Sequence, residues 1–297
     1  MRVTSNTFPN TLIYQLQRLT GRINQLQEQT ATGQRIVDPS DDPAGAVRVL
    51  NGQAEQARIQ QFHRNALRAN DIINASTGQL RNILQLTERA NEIIALSDEV
   101  QGKEALQTYG IEVDALLEQM LVNANTRFND EPLFGGTTGA AQPFEATRDA
   151  NGKIVSVAYV GTTDTAEIQV AVDGRLSPYP SYETNQDILT TMNNLIAVRD
   201  ALATGDSATV KAQMDAMNAS EDALIGALSA QGALQARIEI EMEQNRARYS
   251  DLAEQISRDA DVDLSQTIVQ LTQNQNAYQA ALMSAGKVLD RSLLDYL

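Results

Sequence analysis

The sequence lacks the residue types on which most catalytic and disulfide-stabilised proteins depend. Its 297 residues include no cysteine, no tryptophan and one histidine, His63, and aromatic residues make up 4%. Without cysteine, disulfides and cysteine-ligated zinc are excluded, and few aromatics favour long helical packing over a large globular core. His63 lies beside Phe62 in a helical pattern and is better explained as a partly exposed side chain than as a base or ligand. We therefore expect a protein that is not an enzyme and binds no cofactor or metal.

Long apolar runs and a basic surface are also missing. No run approaches the roughly 18 apolar residues of a membrane span, and the first eight residues have no apolar signal core. The formal charge of -15 argues against nucleic acid as a partner. Most of this charge lies in the middle, because residues 1–34 carry three arginines and one glutamate. These features predict charge-poor ends that pack together, no membrane insertion and no nucleic-acid binding.

Both ends of the chain carry apolar residues at alternating intervals of four and three, the spacing of a coiled-coil seam. Each stripe belongs to a predicted helix of about 30 residues, and Asp263 is placed to cap the last helix. The first stripe consists of Leu12, Leu16, Leu19, Ile23 and Leu26, and the last consists of Leu264, Ile268, Leu271, Tyr278, Leu282 and Leu289.

A connector between residues 33 and 46 separates the first helix from a much longer one. Asp42 before Pro43 predicts an N-cap followed by proline at the first helical position, and Pro39 predicts an extended segment from 34 to 41. Taken locally, this is an ordinary helix–helix loop. Asp41 and Asp42 could be viewed as part of a metal cluster, but capping and solvation explain them without an ion.

The middle of the chain changes from helix to strand and back. Helices are predicted from Pro43 to about Glu99 and up to Ala124, and again from near Asn185. Between them, Asn151-Gly152 predicts a type I′ hairpin, and alternation at residues 168–172 predicts a third strand. The glycine-rich segment at 134–139 predicts a tight chain reversal. Four polar residues on the longest later stripe are expected to specify register: Glu221, Gln231, Gln235 and Asn245.

Several of these motifs resemble those of a known family. The segments 34–36 (Gln-Arg-Ile), 41–46 (Asp-Asp-Pro-Ala-Gly-Ala), 65–66 (Asn-Ala) and 69–71 (Ala-Asn-Asp) resemble the N-terminal region of bacterial flagellins and their relatives. Two further segments are similar to the hook-associated branch of that family, which joins hook and filament. They are Pro132-Leu133-Phe134-Gly135-Gly136-Thr137 with Pro143-Phe144, and the tail Ser292-Leu293-Leu294-Asp295-Tyr296-Leu297. The resemblance covers about 1–144 and 200–297.

The resemblance implies a structural role in a tubular polymer. In this family residues 5–33 and 264–294 would pair antiparallel as the inner coiled coil, the long helices would form the next shell, and the insert would project outward. Arg35, Asp41, Asp42 and Pro43 would form the connector between these shells. Implied partners are further copies of the chain, hook-associated protein 1, flagellin and a flagellar export chaperone. The implied location is the extracellular hook–filament junction, reached without a cleaved signal peptide.

Together these observations predict a mainly α fold, with long antiparallel coiled-coil helices from both chain ends and a small β-rich insert in the middle. The predicted domains are a terminal coiled coil (1–40 and 262–297), a long-helix bundle (41–128 and 184–261) and a β-rich insert (129–183). Alternative functions are flagellin itself or another type III secreted structural protein. An enzyme or a secretion-pore subunit is opposed by the lone histidine and the missing membrane span.

Overall fold

The structure, a computed structural model, describes residues 7–97, 102–137 and 142–294, with side chains between residues 11 and 286 of those ranges. It confirms a mainly α fold in which α1 and α7 pair antiparallel and short strands occupy the middle. None of the described helices has the length and apolar character needed to cross a membrane. The helices are α1 (Thr7–Thr32), α2 (Pro43–Leu96), α3 (Lys103–Ala124), α4 (Tyr182–Thr204), α5 (Ser207–Lys211), α6 (Met214–Ala260) and α7 (Leu264–Leu294).

The strands are short and form three separate antiparallel ribbons among the described residues. They are β1 (Arg127–Phe128), β2 (Glu131–Pro132), β3 (Phe144–Arg148), β4 (Ile154–Tyr159), β5 (Ile168–Gln169) and β6 (Arg175–Leu176). β1 pairs with β2, β3 with β4 and β5 with β6. The predicted third strand is therefore shorter than expected, and it pairs with β6 rather than extending the β3–β4 ribbon.

The chain divides into two compact units. The smaller contains the residues up to 58 and those from 248 onward, and the larger contains residues 59–247. Helices α2 and α6 each contribute to both units. The three-domain division drawn from the sequence stays a prediction.

Helix ends follow local capping chemistry. α2 begins at Pro43 as predicted, and α7 begins at Leu264, where the Asp263 carboxylate accepts the Gln266 N–H at 3.1 Å. Gly205 ends α4 in the left-handed conformation, with φ of 74°. α4 begins earlier than predicted, because the Ser181 hydroxyl accepts the Thr184 N–H and caps the helix at Tyr182.

The core of the larger unit is built mainly from aliphatic side chains. α2, α3, α4 and the first part of α6 contribute buried leucine, isoleucine and methionine. Phe134, in the turn after β2, and Phe144, in β3, complete the core. Asn125 holds Phe144 in place, since its side chain donates to the Phe144 carbonyl at 2.9 Å and accepts the Phe144 N–H at 3.0 Å. Aliphatic side chains from four helices therefore form most of this core, which agrees with the low aromatic content of the sequence.

The type I′ turn occurs in a different ribbon from the one predicted. Asn129 and Asp130, which join β1 to β2, have φ of 50° and 63°, the pair of positive values that a type I′ turn requires. Asn151 has no such value, and Gly152 alone adopts φ of 85° while its N–H donates to the Asp149 carbonyl at 3.0 Å. The β3–β4 ribbon therefore turns through a longer loop with a left-handed glycine, and the I′ prediction at Asn151-Gly152 is wrong.

The polar positions on α6 have different surroundings. Asn245 is buried and donates to the Val170 carbonyl at 2.9 Å, while Asn65 on α2 donates to the Gln169 carbonyl at 2.8 Å. The two asparagines thus attach the β5–β6 ribbon, at the end of β5, to both α2 and α6. Glu221 accepts a hydrogen bond from Asn91 at 2.5 Å, which fixes α6 against α2. Gln231 is buried, whereas Gln235 is half-exposed.

The segment Leu133-Phe134-Gly135-Gly136 makes the tight reversal expected from its glycines. Leu133 and Phe134 are buried in the core of the larger unit, and the Tyr159 hydroxyl donates to the Phe134 carbonyl at 2.9 Å. Gly136 has φ of 68°, and a Cβ there would lie 2.5 Å from Thr162 Oγ1. The second glycine is therefore needed both for its backbone conformation and for the close approach of residues 162–164.

We expect Gly136→Ala to destabilise the larger unit by about 2–4 kcal/mol, because it combines left-handed strain with a steric clash. Gly152→Ala is the matched control, since Gly152 also has positive φ but has open space around it. It should cost about 1 kcal/mol. Urea unfolding of both variants measures the difference, and equal losses would show that the crowding at Gly136 does not matter.

Candidate assembly site at the terminal helices

The candidate site is the paired α1 and α7 together with the connector that leads into α2. On α1 the predicted stripe is the least exposed face: Leu26 is buried, and the rest of the stripe is half-buried. The other half-buried members are Leu12, Leu16, Leu19 and Ile23. The 4-3 spacing therefore identifies the side of α1 that faces its partner helix.

The structure divides the predicted α7 stripe into two groups. Leu271 and Tyr278 are half-buried, whereas Leu264, Ile268 and Leu282 are 46%, 50% and 45% exposed. Leu289 lies outside the described side chains. The least exposed face of α7 is shifted by about one residue from the predicted stripe and contains more polar side chains. It consists of Thr267, Leu271, Asn274, Tyr278, Ala281 and Ala285. Part of the most apolar stripe of α7 is thus left uncovered within one chain.

Asp41 folds the connector back on itself. One of its carboxylate oxygens accepts the N–H groups of Val37 and Asp38 at 3.2 and 3.1 Å. The other accepts the Gln25 side-chain amide at 3.2 Å, so the connector is also bonded to α1. This carboxylate acts as the loop's internal hydrogen-bond acceptor, a common role for aspartate in turns.

Asp42 and Gly45 form the start of α2. The Asp42 carboxylate accepts the Gly45 N–H at 2.9 Å, which is the capping bond predicted from the sequence, and also pairs with the Arg35 guanidinium at 3.2 Å. A Cβ on Gly45 would lie 2.5 Å from Asp42 Oδ2 and 2.6 Å from Ile36 Cδ1. Glycine is therefore required at this position by the packing of the connector against the first turn of α2.

Arg35 joins the connector to the break between α6 and α7. Its backbone N–H donates to the Ala260 carbonyl at 2.6 Å, and its guanidinium donates to the Asp259 carbonyl at 2.7 Å. In return, the Val262 N–H donates to the Gly33 carbonyl at 3.0 Å. The two interruptions of the helical structure are thus hydrogen-bonded to each other, which places α1 beside α7.

A second arginine strengthens the same region. Arg48 on α2 makes a two-pronged ion pair with the Asp259 carboxylate, at 3.1 and 3.0 Å. Sequence reasoning missed Arg48, Asp259 and Gly45 as site residues. Arg48 lies in the second turn of α2 and Asp259 is the next-to-last residue of α6, so a basic and an acidic side chain lie near the two breaks, which is the signal that could have identified them.

Hydrogen bonds shift the ionisation of this site. The Gly45 N–H and then the Arg35 guanidinium lower the pKa of Asp42 below its ordinary 3.8, and Arg48 lowers the pKa of Asp259 in the same direction. The hydrogen bonds from Arg48 to Asp259 correspondingly raise the pKa of the guanidinium. Both carboxylates are therefore charged over the neutral range and hold their arginines.

The described residues contain no group of three histidine or acidic side chains arranged to hold a metal ion. His63 lies on α2, is half-buried and leaves its Nδ1 without a hydrogen-bond partner. The arrangement at the connector joins helices through ion pairs and backbone hydrogen bonds.

Comparison with known proteins agrees with this architecture. Residues 3–138 match the bacterial flagellin N-terminal helical region. The matched region is a little under half of the chain. The chain is 27% identical over 145 residues to flagellar hook-associated protein 3 of Escherichia coli strain K12, an alignment that covers 48% of this chain and 43% of that relative. The chain therefore matches less than half the length of this curated relative.

Solved structures show the same fold. A protein described as a flagellar hook-associated protein from Vibrio parahaemolyticus superposes with a TM-score of 0.65 at 14% identity, covering 74% of this chain and 100% of that one. Bacillus cereus FlgL superposes with a TM-score of 0.56 at 20% identity, covering 68% and 99%. These similarities show that the chain shares the fold of those two proteins.

We expect the Asp259–Arg48 pair to stabilise the protein at neutral pH and to weaken in acid. Because the pKa of folded Asp259 lies below its ordinary 3.8, its contribution is present above about pH 4 and is lost as the pH falls through the lower folded value. Asp259→Asn should therefore lower the melting temperature by a constant amount from pH 7 to 5, and the difference should shrink below pH 4.

Asp38→Asn is the control for removing one negative charge from the same region, because Asp38 is exposed and belongs to no ion pair among the described residues. Its melting temperature should track that of the unmodified protein at each pH. A difference for Asp259→Asn that persisted unchanged to pH 3 would contradict the assigned role of the carboxylate.

Proposed function

We propose that this chain is a flagellin-like structural subunit of the bacterial flagellum that acts as an adaptor at the hook–filament junction and assembles through its terminal helices. The observation that carries the proposal is the uncovered apolar surface of the paired α1 and α7. Its large apolar side chains, each between 45% and 65% exposed, are Ile13, Tyr14, Leu264, Ile268, Val269, Leu282 and Met283.

The physical case rests on the cost of leaving such a surface in water. Burying apolar area contributes about 25 cal/mol per Å², so a helix pair with this many half-exposed side chains gains stability when neighbouring copies cover them. The ends of the chain carry little charge, so packing them together causes little electrostatic repulsion. The most highly charged parts of the chain lie outside these helices and would remain in contact with solvent.

The partners follow from the position of such an adaptor. Hook-associated protein 1 would lie on one side and flagellin on the other, with further copies of this chain completing a ring or tube. An export chaperone would bind the exposed apolar face of α7 before assembly, because that face is otherwise open to aggregation. In this account the protein is not an enzyme and works extracellularly, at the hook–filament junction.

We expect cells that lack the protein to make hooks without attached filaments and to release flagellin into the medium, because the surface on which filament subunits polymerise is absent. Electron microscopy of the deletion strain and an immunoblot of the culture medium provide the measurement. Restoring the gene should restore filaments. Filaments of normal length and number in the deletion strain would rule out the adaptor role.

Flagellin itself is the second candidate, because the matched N-terminal family is that of bacterial flagellin. A fluorescent label on the protein separates the two functions. A label along the whole filament would support the filament subunit, whereas a label confined to one end would support the adaptor.

We expect two substitutions on α7 to have opposite effects on folding and assembly. Ile268→Asp changes a side chain that is half-exposed in one chain, so its unfolding free energy should stay within about 0.5 kcal/mol of the original while assembly is lost. Leu271→Asp places a charge on the half-buried face and should cost about 1–3 kcal/mol. Urea unfolding and motility of both strains test this, and full motility with Ile268→Asp would contradict the proposed surface.

A further inference from the structure

The larger unit carries two outward-facing stripes on its long helices. Within this unit α2 and α6 run antiparallel, because Asn91 bonds Glu221 and, nearer the other end, Ile73 and Ile238 share an apolar cluster. Side chains on the opposite faces of both helices are exposed, except Gly78, which is partly covered. The α2 outer stripe comprises Arg64, Leu67, Asp71, Asn74, Gly78 and Arg81, and the α6 outer stripe comprises Asp222, Ile225, Ser229, Gly232, Ala236 and Glu239.

The two stripes have matching lengths and opposite charges. Each follows 3-4-3-4-3 spacing, so each forms one continuous face about 25 Å long. The α2 outer stripe has arginine at both ends, and the α6 outer stripe has a carboxylate at both ends. Among the described residues, none of these four end charges belongs to an ion pair.

The interiors of the stripes contain small and apolar residues together with the polar residues Asp71, Asn74 and Ser229. Leu67 is 42% exposed and Ile225 is 45% exposed, although both lie mid-helix. Gly78 and Gly232 have nothing within 4 Å of the position where a Cβ would stand. A glycine inside a helix costs about 1 kcal/mol relative to alanine, and packing within one chain gives no reason for that cost here.

We propose that the α2 outer stripe of one copy packs antiparallel against the α6 outer stripe of a second copy. The proposal rests on the self-assembly proposed above and names the contact between neighbouring larger units. In this register each large side chain meets a small one. Leu67 lies opposite Ala236, and Ile225 lies opposite Gly78. Both ends then form ion pairs, Arg64 with Glu239 and Arg81 with Asp222.

Charge excludes the symmetric alternatives. Two α2 outer stripes packed antiparallel would place Arg64 of one copy against Arg81 of the other. Two α6 outer stripes would likewise place Asp222 against Glu239, and like charges in contact are destabilising. The favourable contact therefore joins different faces of identical chains. Such a heterologous contact repeats from copy to copy and produces a ring or a helical tube rather than a closed dimer.

The absence of cysteine makes a site-specific test possible. Full-length chains carrying Leu67→Cys are mixed with affinity-tagged full-length chains carrying Ala236→Cys, concentrated until sedimentation shows association, and then mildly oxidised. A disulfide needs its two Cβ atoms about 3.5–4.5 Å apart, so it reports register directly. We expect at least tenfold more mixed dimer than in a control mixture of Leu67→Cys with Ile225→Cys, which would be linked in the parallel register.

A charge exchange provides the second measurement. Arg81→Glu should weaken association at least fivefold in sedimentation, and a double variant that adds Asp222→Arg should recover most of the loss, because each contact then pairs the exchanged charges. Association without cross-linking between positions 67 and 236 and without this rescue would overturn the stripe contact and leave the proposed self-assembly standing. An absence of association at any concentration would count against both.

Discussion

Hydrogen bonds between the α1–α2 break and the α6–α7 break hold the two terminal helices together. The Arg35 N–H reaches the Ala260 carbonyl, and the Val262 N–H reaches the Gly33 carbonyl, although more than 200 residues separate the two breaks. The Arg48–Asp259 ion pair ties the start of α2 to the end of α6 at the same place. The antiparallel pairing of α1 and α7 depends on this arrangement, because helices that leave their breaks in other directions could not meet along their length.

The larger unit and the terminal helices differ in how completely they bury their apolar side chains. The larger unit buries its isoleucine, leucine and methionine side chains within its own four helices and short ribbons. The terminal helices bury one stripe each and leave leucine, isoleucine, valine and methionine side chains of α7 half-exposed. A fold of this kind stabilises a single chain and leaves uncovered the surfaces that we propose to contact further copies.

The glycines of this chain differ in whether neighbouring atoms of the same chain leave room for a side chain. A side chain at Gly45 or Gly136 would collide with neighbouring atoms of the same chain, so their absence of a side chain is explained by the fold. Gly78 and Gly232 have open space around them. Contacts within the chain do not explain these two glycines, whereas the proposed packing of a second copy would use them for close approach of another helix.

The sequence by itself determined the features that depend on neighbours along the chain. The α1 stripe, the start of α2 at Pro43 and the Asp263 cap follow from spacing, from the fixed φ of proline and from capping by a short acidic side chain. Only the tertiary structure decided which face of α7 meets α1, why Asn245 is polar, and that Arg48 pairs with Asp259. Those outcomes depend on which distant elements come together: Asn245 donates to the Val170 carbonyl 75 residues away, and Arg48 pairs with a carboxylate 211 residues away.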